Sequence, residues 1–180
     1  MAERNPQLTL ENILLGLIRQ EPLHGYGLFQ KLQETPELSL IWHVKRSKLY
    51  YLLEKLESKG LINGTVRSQE SYPDRISYQL TASGEELYQQ WISTPVQSGR
   101  HIRVEFLPRL HFALSHSRSD AENLIQAQID VCGTWISSLE SQLEELKMPD
   151  YISRQVFLFR IGQIQAMVTW LKGCRLELPE

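Results

Sequence analysis

Cysteine is scarce in this 180-residue chain, which has only Cys132 and Cys174 and no CxxC pair. Two cysteines exclude a disulfide framework, and their apolar helical surroundings predict buried free thiols rather than a redox or metal site. Long hydrophobic runs are absent too, since residues 13–18 fall far short of a membrane span and are interrupted by Gly16. The first four residues do not open a signal peptide. These features predict a cytoplasmic protein with no membrane partner.

An excess of basic residues, the usual mark of nucleic-acid binding, is also missing. The chain has 19 Lys+Arg against 21 Asp+Glu, a formal net charge of −2. The charges are nevertheless uneven, because residues 38–69 hold six basic side chains and two acidic ones, a local charge of +4. If the protein binds DNA, the near-neutral total predicts modest non-specific affinity, so that useful binding would need a dimer and the right sequence.

Motifs of catalysis are absent from the sequence. Gly25-Tyr26-Gly27 lacks the third glycine of a dinucleotide fingerprint and follows a predicted helix rather than a strand. There is no Walker lysine motif and no GxSxG elbow. The five histidines form no HxH or HxxxH pair that would bring two metal ligands together. We therefore expect no enzyme activity, no catalytic residue, no cofactor and no metal site.

The N-terminal half is patterned as helices followed by a hairpin. Apolar spacing predicts helices at 10–19, 25–33 and 45–59. The hydrophobic pattern then loses its helical period. Residues of high β-propensity at 61–68 and 75–80 predict two strands, which are joined by the loop between them.

Asn63-Gly64 is a rival hairpin turn, but it would leave Leu61-Ile62 too short as a first strand. Thr81 is a suitable N-cap for a helix that follows the second strand. Three helices and a two-stranded hairpin are the order of a winged helix-turn-helix.

The C-terminal half is predicted to be helical and to follow a short linker at 94–99. Residues 101–114 have helical spacing, with Pro108 expected to kink or split the helix. Ser119-Asp120-Ala121-Glu122 reads as a capping box that starts a long helix. A last helix is predicted from 150 to 172.

Both long helices carry apolar residues at alternating steps of four and three. They are Ile125, Ile129, Cys132, Ile136, Leu139, Leu143 and Leu146 on one, and Phe157, Ile161, Ile164, Val168 and Leu171 on the other. Such a seam can close an intramolecular bundle or join two chains as a coiled coil. We favour a homodimer, because the seam is longer than a small bundle needs. The predicted fold is mainly α, with an α+β winged helix-turn-helix at 1–94 and an antiparallel helical dimerisation domain at 95–180.

Four spaced motifs follow one another over residues 8–92. They are Pro22-Leu23-His24-Gly25-Tyr26, Trp42-x-Val44, Leu49-Tyr50-x-x-Leu53-x-x-Leu56-Glu57-x-x-Gly60-Leu61-Ile62, and Arg75-x-x-Tyr78-x-Leu80-Thr81-x-x-Gly84. This set resembles the PadR-like transcriptional regulators. Lys45 departs from the small polar residue typical of that position, and Pro108 interrupts a helix that the family normally continues.

The C-terminal half resembles the long members of that family more loosely, over residues 100–175. Two sets of residues are similar to the helical dimerisation domain of the virulence activator AphA. They are Glu105-Phe106-Leu107 with Arg109-Leu110, and Gly162 with Trp170-Leu171. The resemblance implies a DNA-binding regulator, and some of its members bind small aromatic ligands near the dimer interface. Aromatic residues could form such an effector site here or simply belong to the core. The residues concerned are Trp42, Trp91, Phe106, Phe112, Trp135 and Trp170.

The third predicted helix corresponds to the recognition helix, which lies in the major groove of DNA. A helical projection turns Arg46, Ser47, Lys48 and Tyr51 toward the groove as candidate base contacts. Arginine and lysine can donate to O6 and N7 of guanine. Tyr50 is expected to pack against a neighbouring element. The candidate phosphate contacts are Lys45, Lys55, Lys59, Arg67 and Arg75.

We interpret the chain as a sequence-specific DNA-binding transcriptional regulator that acts as a repressor and a homodimer. Its operator is expected to be pseudo-palindromic double-stranded DNA, with half-sites about 34 Å apart. The alternative is a winged-helix protein-interaction module that does not bind DNA.

Overall fold

The computed structural model describes residues 6–69, 72–146 and 150–179, with side chains for 10–66, 76–146 and 150–179. These residues form two compact units. The first unit comprises the chain to Ile92 together with Arg103–Phe112, and the second comprises Ser93–Ile102 together with the chain from Ala113.

The first unit contains a helical layer and a small sheet. Its elements are α1 (Pro6–Gln20), β1 (Leu23–His24), α2 (Gly25–Glu34), α3 (Pro36–Ser39), α4 (Arg46–Ser58), β2 (Ile62–Gln69), β3 (Tyr72–Leu80) and α5 (Ala82–Ser93). The sheet is antiparallel in the order β1-β3-β2. The expected helices and hairpin are confirmed, whereas the short elements α3 and β1 were not predicted.

The register of the hairpin decides between its two candidate turns. Asn63 pairs with Gln79 and Gly64 pairs with Tyr78, so both lie inside β2. The rival turn at Asn63-Gly64 is therefore excluded. β1 adds a third strand through the pairs of Leu23 with Tyr78 and of His24 with Ser77.

The core of the first unit is built from the apolar faces of α1 and α4. The predicted leucine stripe of α4 is fully buried at Leu49, Leu52, Leu53 and Leu56. Phe112 completes this core from outside the winged helix, with its ring centroid 6.2 Å from that of Tyr88 and 5.8 Å from that of Trp91. A Cβ on Gly16 would lie 2.6 Å from the Phe112 ring, so only glycine leaves room for it.

Thr81 caps α5, as predicted. Its hydroxyl accepts a hydrogen bond from the Gly84 amide at 3.0 Å. A Cβ on Gly84 would lie 2.0 Å from the Leu61 carbonyl oxygen, which explains the glycine three residues after the cap.

The remaining elements are Gly99–His101 (one 3₁₀ turn), Ile102–Phe106 (one π-helical turn), α6 (Leu107–His116), α7 (Arg118–Glu145) and α8 (Tyr151–Leu176). Pro108 does not end the helical run: it lies in the first turn of α6, directly after the π-helical turn, so the chain changes its type of helix at this point. Within the described residues, no helix is both long and apolar enough to cross a membrane.

The expected capping box at Ser119 is wrong by two residues. α7 begins at Arg118, and Ser117 is its N-cap because its backbone is extended there. The Ser117 hydroxyl accepts from the Asp120 amide at 3.0 Å and donates to the Asp120 carboxylate at 2.6 Å. Hydrogen bonds from Ser117 and then His116 lower the pKa of Asp120.

The second unit is an antiparallel pair of long helices with a short segment of chain packed on it. The guanidinium of Arg118, at the start of α7, donates to the carbonyl oxygens of Leu178 and Pro179 just beyond α8. The buried amide of Gln128 on α7 bonds both backbone groups of Val96, at 2.7 and 3.1 Å. These bonds hold the segment before α6 against α7.

Candidate nucleic-acid interface

The leucine stripe of α4 determines which side chains this helix presents outward. Because that stripe is buried, Arg46, Ser47 and Tyr51 are exposed on the other side, and Lys48 is half-buried beside them. Lys45 is the N-cap residue, with an extended backbone and an exposed side chain. The structure therefore brings the four candidate base contacts together at the start of α4.

Arg46 lies against two aromatic rings of α2. Its guanidinium carbon is 5.0 Å from the ring centroid of Tyr26 and 5.5 Å from that of Phe29. Within the described part of the chain, the Arg46 side chain forms no hydrogen bond or ion pair. Its N–H donors are thus available to a ligand.

Lys48 has a similar aromatic neighbour on its own helix. Its ammonium nitrogen lies 4.9 Å from the ring centroid of Tyr51, a distance at which a cation is attracted to the face of a ring. Tyr50, one residue earlier, packs instead against Gly25: a Cβ there would lie 2.6 Å from the Tyr50 ring. The two adjacent tyrosines therefore have different surroundings.

Lys55 and Lys59, two of the candidate phosphate contacts, share a buried carboxylate. Their ammonium nitrogens lie 2.7 and 2.9 Å from the two oxygens of Glu11 on α1, a side chain that is 3% exposed. Burial by itself would raise the pKa of Glu11, but the two lysines outweigh it and hold that pKa below its ordinary value. Sequence reasoning missed Glu11, because it is 44 residues away from Lys55 and no local pattern marks it.

Replacing Glu11 by glutamine tests this buried pair. The pKa of Glu11 is lower in the folded protein than its ordinary value of 4.5, so its stabilising effect is present above that pH and is lost as the pH falls. We expect Glu11→Gln to reduce the free energy of unfolding by roughly 2 kcal/mol at pH 7. Urea unfolding at pH 7 and pH 3 measures this.

The difference in stability between the two proteins should be smaller at pH 3 than at pH 7, because the wild-type carboxylate loses its charge as the pH falls. The exposed Glu34→Gln is the matched control and should unfold like the wild type at pH 7. A gap between wild type and Glu11→Gln that is the same at both pH values would show that the Glu11 charge is not its source.

The wing, which is the β2–β3 hairpin, is attached to the end of α4. The Gly64 amide donates to the Glu57 carboxylate at 2.9 Å. A Cβ on Gly64 would lie 2.7 Å from Ile76 and 2.8 Å from that carboxylate, so the close approach favours glycine. Arg67 and Arg75 are partners in the strand register, but their side chains lie outside the described ones.

The predicted dimerisation residues fall into two groups: side chains that are buried within the single chain and side chains that remain at least partly exposed. Buried within the chain are Ile125, Cys132, Leu139, Ile161, Ile164 and Leu171; half-buried are Ile129, Ile136, Leu143, Phe157 and Val168, and Leu146 is exposed. Their role in a dimer stays a prediction.

Three of the aromatic residues considered for an effector, Trp91, Phe106 and Phe112, are buried core residues of the first unit. Their burial favours packing over ligand binding, and a small aromatic effector stays a prediction.

Residues 14–90 match the family model described as "Transcriptional regulator PadR-like family". The chain carries a PadR-like domain. The resemblance found in the sequence is thereby confirmed: the domain is of the kind described for PadR-like transcriptional regulators, and additional helices follow it in this chain.

Similarity to individual proteins extends beyond the PadR-like domain. The chain is 26% identical to the Negative transcriptional regulator PadR of Bacillus subtilis (strain 168), over 92% of this chain and 94% of the relative. The crystal structure of Bacillus subtilis PadR in complex with operator DNA is 25% identical, with a TM-score of 0.47, over 94% of this chain and 99% of that one. The same regulator in complex with p-coumaric acid is 25% identical, with a TM-score of 0.43, over 98% and 99%.

Proposed function

We propose that this PadR-like protein represses transcription by binding a pseudo-palindromic DNA operator as a homodimer. The observation that carries the proposal is the start of α4, where the side chains of Arg46 and Lys48 have no hydrogen-bonded partner among the described residues. The opposite side of the helix is formed by buried leucines, which pack α4 against the core. The side chains at the start of α4 are therefore available to a ligand. The name of the Bacillus subtilis relative, a negative regulator, supports repression.

The cations of α4 are proposed to divide between base and phosphate contacts. Arg46 and Lys48, with Ser47 and Tyr51, reach base edges, where a bidentate arginine pair with guanine discriminates by about 1–3 kcal/mol. Lys45 at the N-cap binds a phosphate, and so do Arg67 and Arg75 of the wing.

Lys55 and Lys59 stay candidate phosphate contacts with part of their charge already balanced by Glu11. Counting Glu11 with residues 38–69 lowers the local charge from +4 to +3. We therefore propose that these two lysines contribute less to DNA affinity than Lys45.

Salt dependence separates this function from that of a protein-interaction module. DNA fragments selected from a random pool by the purified protein are titrated at several salt concentrations. We expect the logarithm of the binding constant to fall with the logarithm of salt with a slope of about −4 or steeper, since each neutralised phosphate contributes about −0.9. A scrambled sequence of the same length is the control. Failure to enrich any sequence, or a flat salt response, would favour the interaction module.

The dimer is proposed to form through a second apolar seam on α8. Ile152, Val156 and Phe159 follow heptad steps, and Ala166 and Trp170 continue them after a polar position at Gln163, on a different side of the helix from the buried seam. Ile152 and Phe159 are 65% and 66% exposed. Several large apolar side chains aligned on one helix side are typical of a surface that a partner covers.

Charged substitution in this second seam is expected to separate the subunits. Ile152→Asp with Phe159→Asp places two carboxylates where apolar surface would be buried, and should convert a dimer to a monomer in light scattering. Operator affinity should fall at least tenfold with it, because one half-site contact is lost. Leu176→Asp, also exposed on α8 but off this seam, is the control. A double variant that keeps the dimer mass would rule out this surface.

A further inference from the structure

The start of α2 forms an aromatic shelf, defined here as the rings of Tyr26 and Phe29, on which Arg46 rests. His24 helps to place this shelf, since its Nδ1 accepts a hydrogen bond from the Gly27 amide at 3.2 Å and so caps α2. The His24 and Tyr26 rings then meet edge to face, with centroids 6.3 Å apart. Tyr26 is 43% exposed, so its ring lies at the surface beside the guanidinium.

The chemistry of a guanidinium makes this contact useful for reading DNA. A ring attracts the cation through its face, whereas the five N–H donors of arginine lie in the guanidinium plane. The shelf can therefore hold Arg46 and leave its hydrogen-bonding edge unoccupied, which agrees with the lack of any hydrogen bond or ion pair to Arg46 within the described residues. A free arginine loses about 2 kcal/mol of rotamer entropy when it is fixed, and a side chain held in advance loses less on binding.

Resting on the proposed function, we propose that Tyr26 is a positioning residue for base recognition by Arg46. Its ring orders the guanidinium before DNA arrives, and thereby increases the discrimination at the base pair that Arg46 reads. Tyr26 is the closer ring, 5.0 Å against 5.5 Å for Phe29. Phe29 is half-buried, whereas Tyr26 is exposed and can be changed at the surface.

The test compares Tyr26→Leu, which removes the ring, with Tyr26→Phe, which keeps it and removes only the hydroxyl. Both full-length variants are titrated with DNA selected by the wild type and with a scrambled sequence. Tyr26→Leu should lose about five- to thirtyfold in affinity for the selected DNA, as expected for one surface cation–π contact in each half-site. It should lose nothing on scrambled DNA, and Tyr26→Phe should stay within twofold of the wild type on both.

Three further measurements distinguish positioning from direct contact. The salt slope of Tyr26→Leu should equal that of the wild type, because no phosphate contact is removed. Repeating the sequence selection should show relaxed preference only at the base pair that Arg46→Ala also relaxes. The double variant of Tyr26→Leu with Arg46→Ala should bind the selected DNA as tightly as Arg46→Ala alone.

Several results would overturn the inference. Equal losses in Tyr26→Phe and Tyr26→Leu would assign the effect to the hydroxyl, and a shallower salt slope would assign it to a phosphate. Additive losses of affinity in the double variant, or wild-type affinity in Tyr26→Leu, would show that Tyr26 does not act through Arg46. Tyr26→Met is a second ring-free variant should the leucine protein fail to fold. If the wild type selects no DNA, the proposed function fails as a whole; if Arg46→Ala weakens binding and Tyr26→Leu does not, only this inference fails.

Discussion

Replacing Arg46 and Lys48 together by alanine is expected to abolish specific operator binding. Both side chains lie at the exposed start of α4, with no hydrogen-bonded partner among the described residues. A dimer would lose four such contacts, and at about 1 kcal/mol each the affinity for the operator falls roughly a thousandfold. Non-specific binding should fall much less, because the phosphate contacts remain. Footprinting and titration on selected DNA measure both quantities.

The matched control removes the same charge from the other unit. Arg160→Ala with Lys172→Ala takes two exposed cations from α8 and should leave the footprint unchanged. Circular dichroism and light scattering should show that fold and mass are the same in both double variants. A footprint that survives in Arg46→Ala with Lys48→Ala would contradict the assignment of α4 as the recognition helix.

Phe112→Ala is expected to reduce the free energy of unfolding by about 3–5 kcal/mol, the usual cost of emptying a buried phenylalanine site. The ring is fully buried and is packed against Gly16, Tyr88 and Trp91. The backbone around Gly16 cannot easily fill the space, because α1 is held by its own apolar face. Urea unfolding followed by circular dichroism measures the change.

Leu40→Ala, at a side chain that is 84% exposed in the same unit, is the control and should change stability by less than about 0.5 kcal/mol. A loss below 1 kcal/mol in Phe112→Ala would mean that this ring is not a core residue. The expected result also implies that a fragment ending at residue 94 is less stable than the full protein, since it lacks a ring of its own core.

Local sequence patterns were sufficient to predict the longer helices and the start of the recognition helix. The leucines of α4 recur at helical spacing, and burying them turns Arg46 outward whatever the rest of the chain does. Thr81 could be predicted as a cap for the same reason, because a cap bonds to a residue only three positions away. The spaced motifs carried the family resemblance as well, and the match over residues 14–90 confirms it.

Those local patterns could not predict contacts between residues that are far apart in the chain. The pairing of Glu11 with Lys55 and Lys59 joins α1 to α4, and the cation–π contact of Arg46 joins α4 to α2. Charge and aromatic rings have no sequence period that reveals such partners. The shift of the α7 cap to Ser117 has a local cause, since serine at two nearby positions fits the same motif and the backbone conformation chooses between them.

The sequence by itself therefore determined the order of the longer elements, the buried stripe of α4 and which residues lie at its exposed start. The tertiary structure decided which cations there keep their donors available and which are already paired. It also decided that Phe112, beyond the winged helix, fills the core of the first unit. The physical reason is range: helical periodicity acts over a few residues, whereas ion pairs and core packing depend on where separate segments meet.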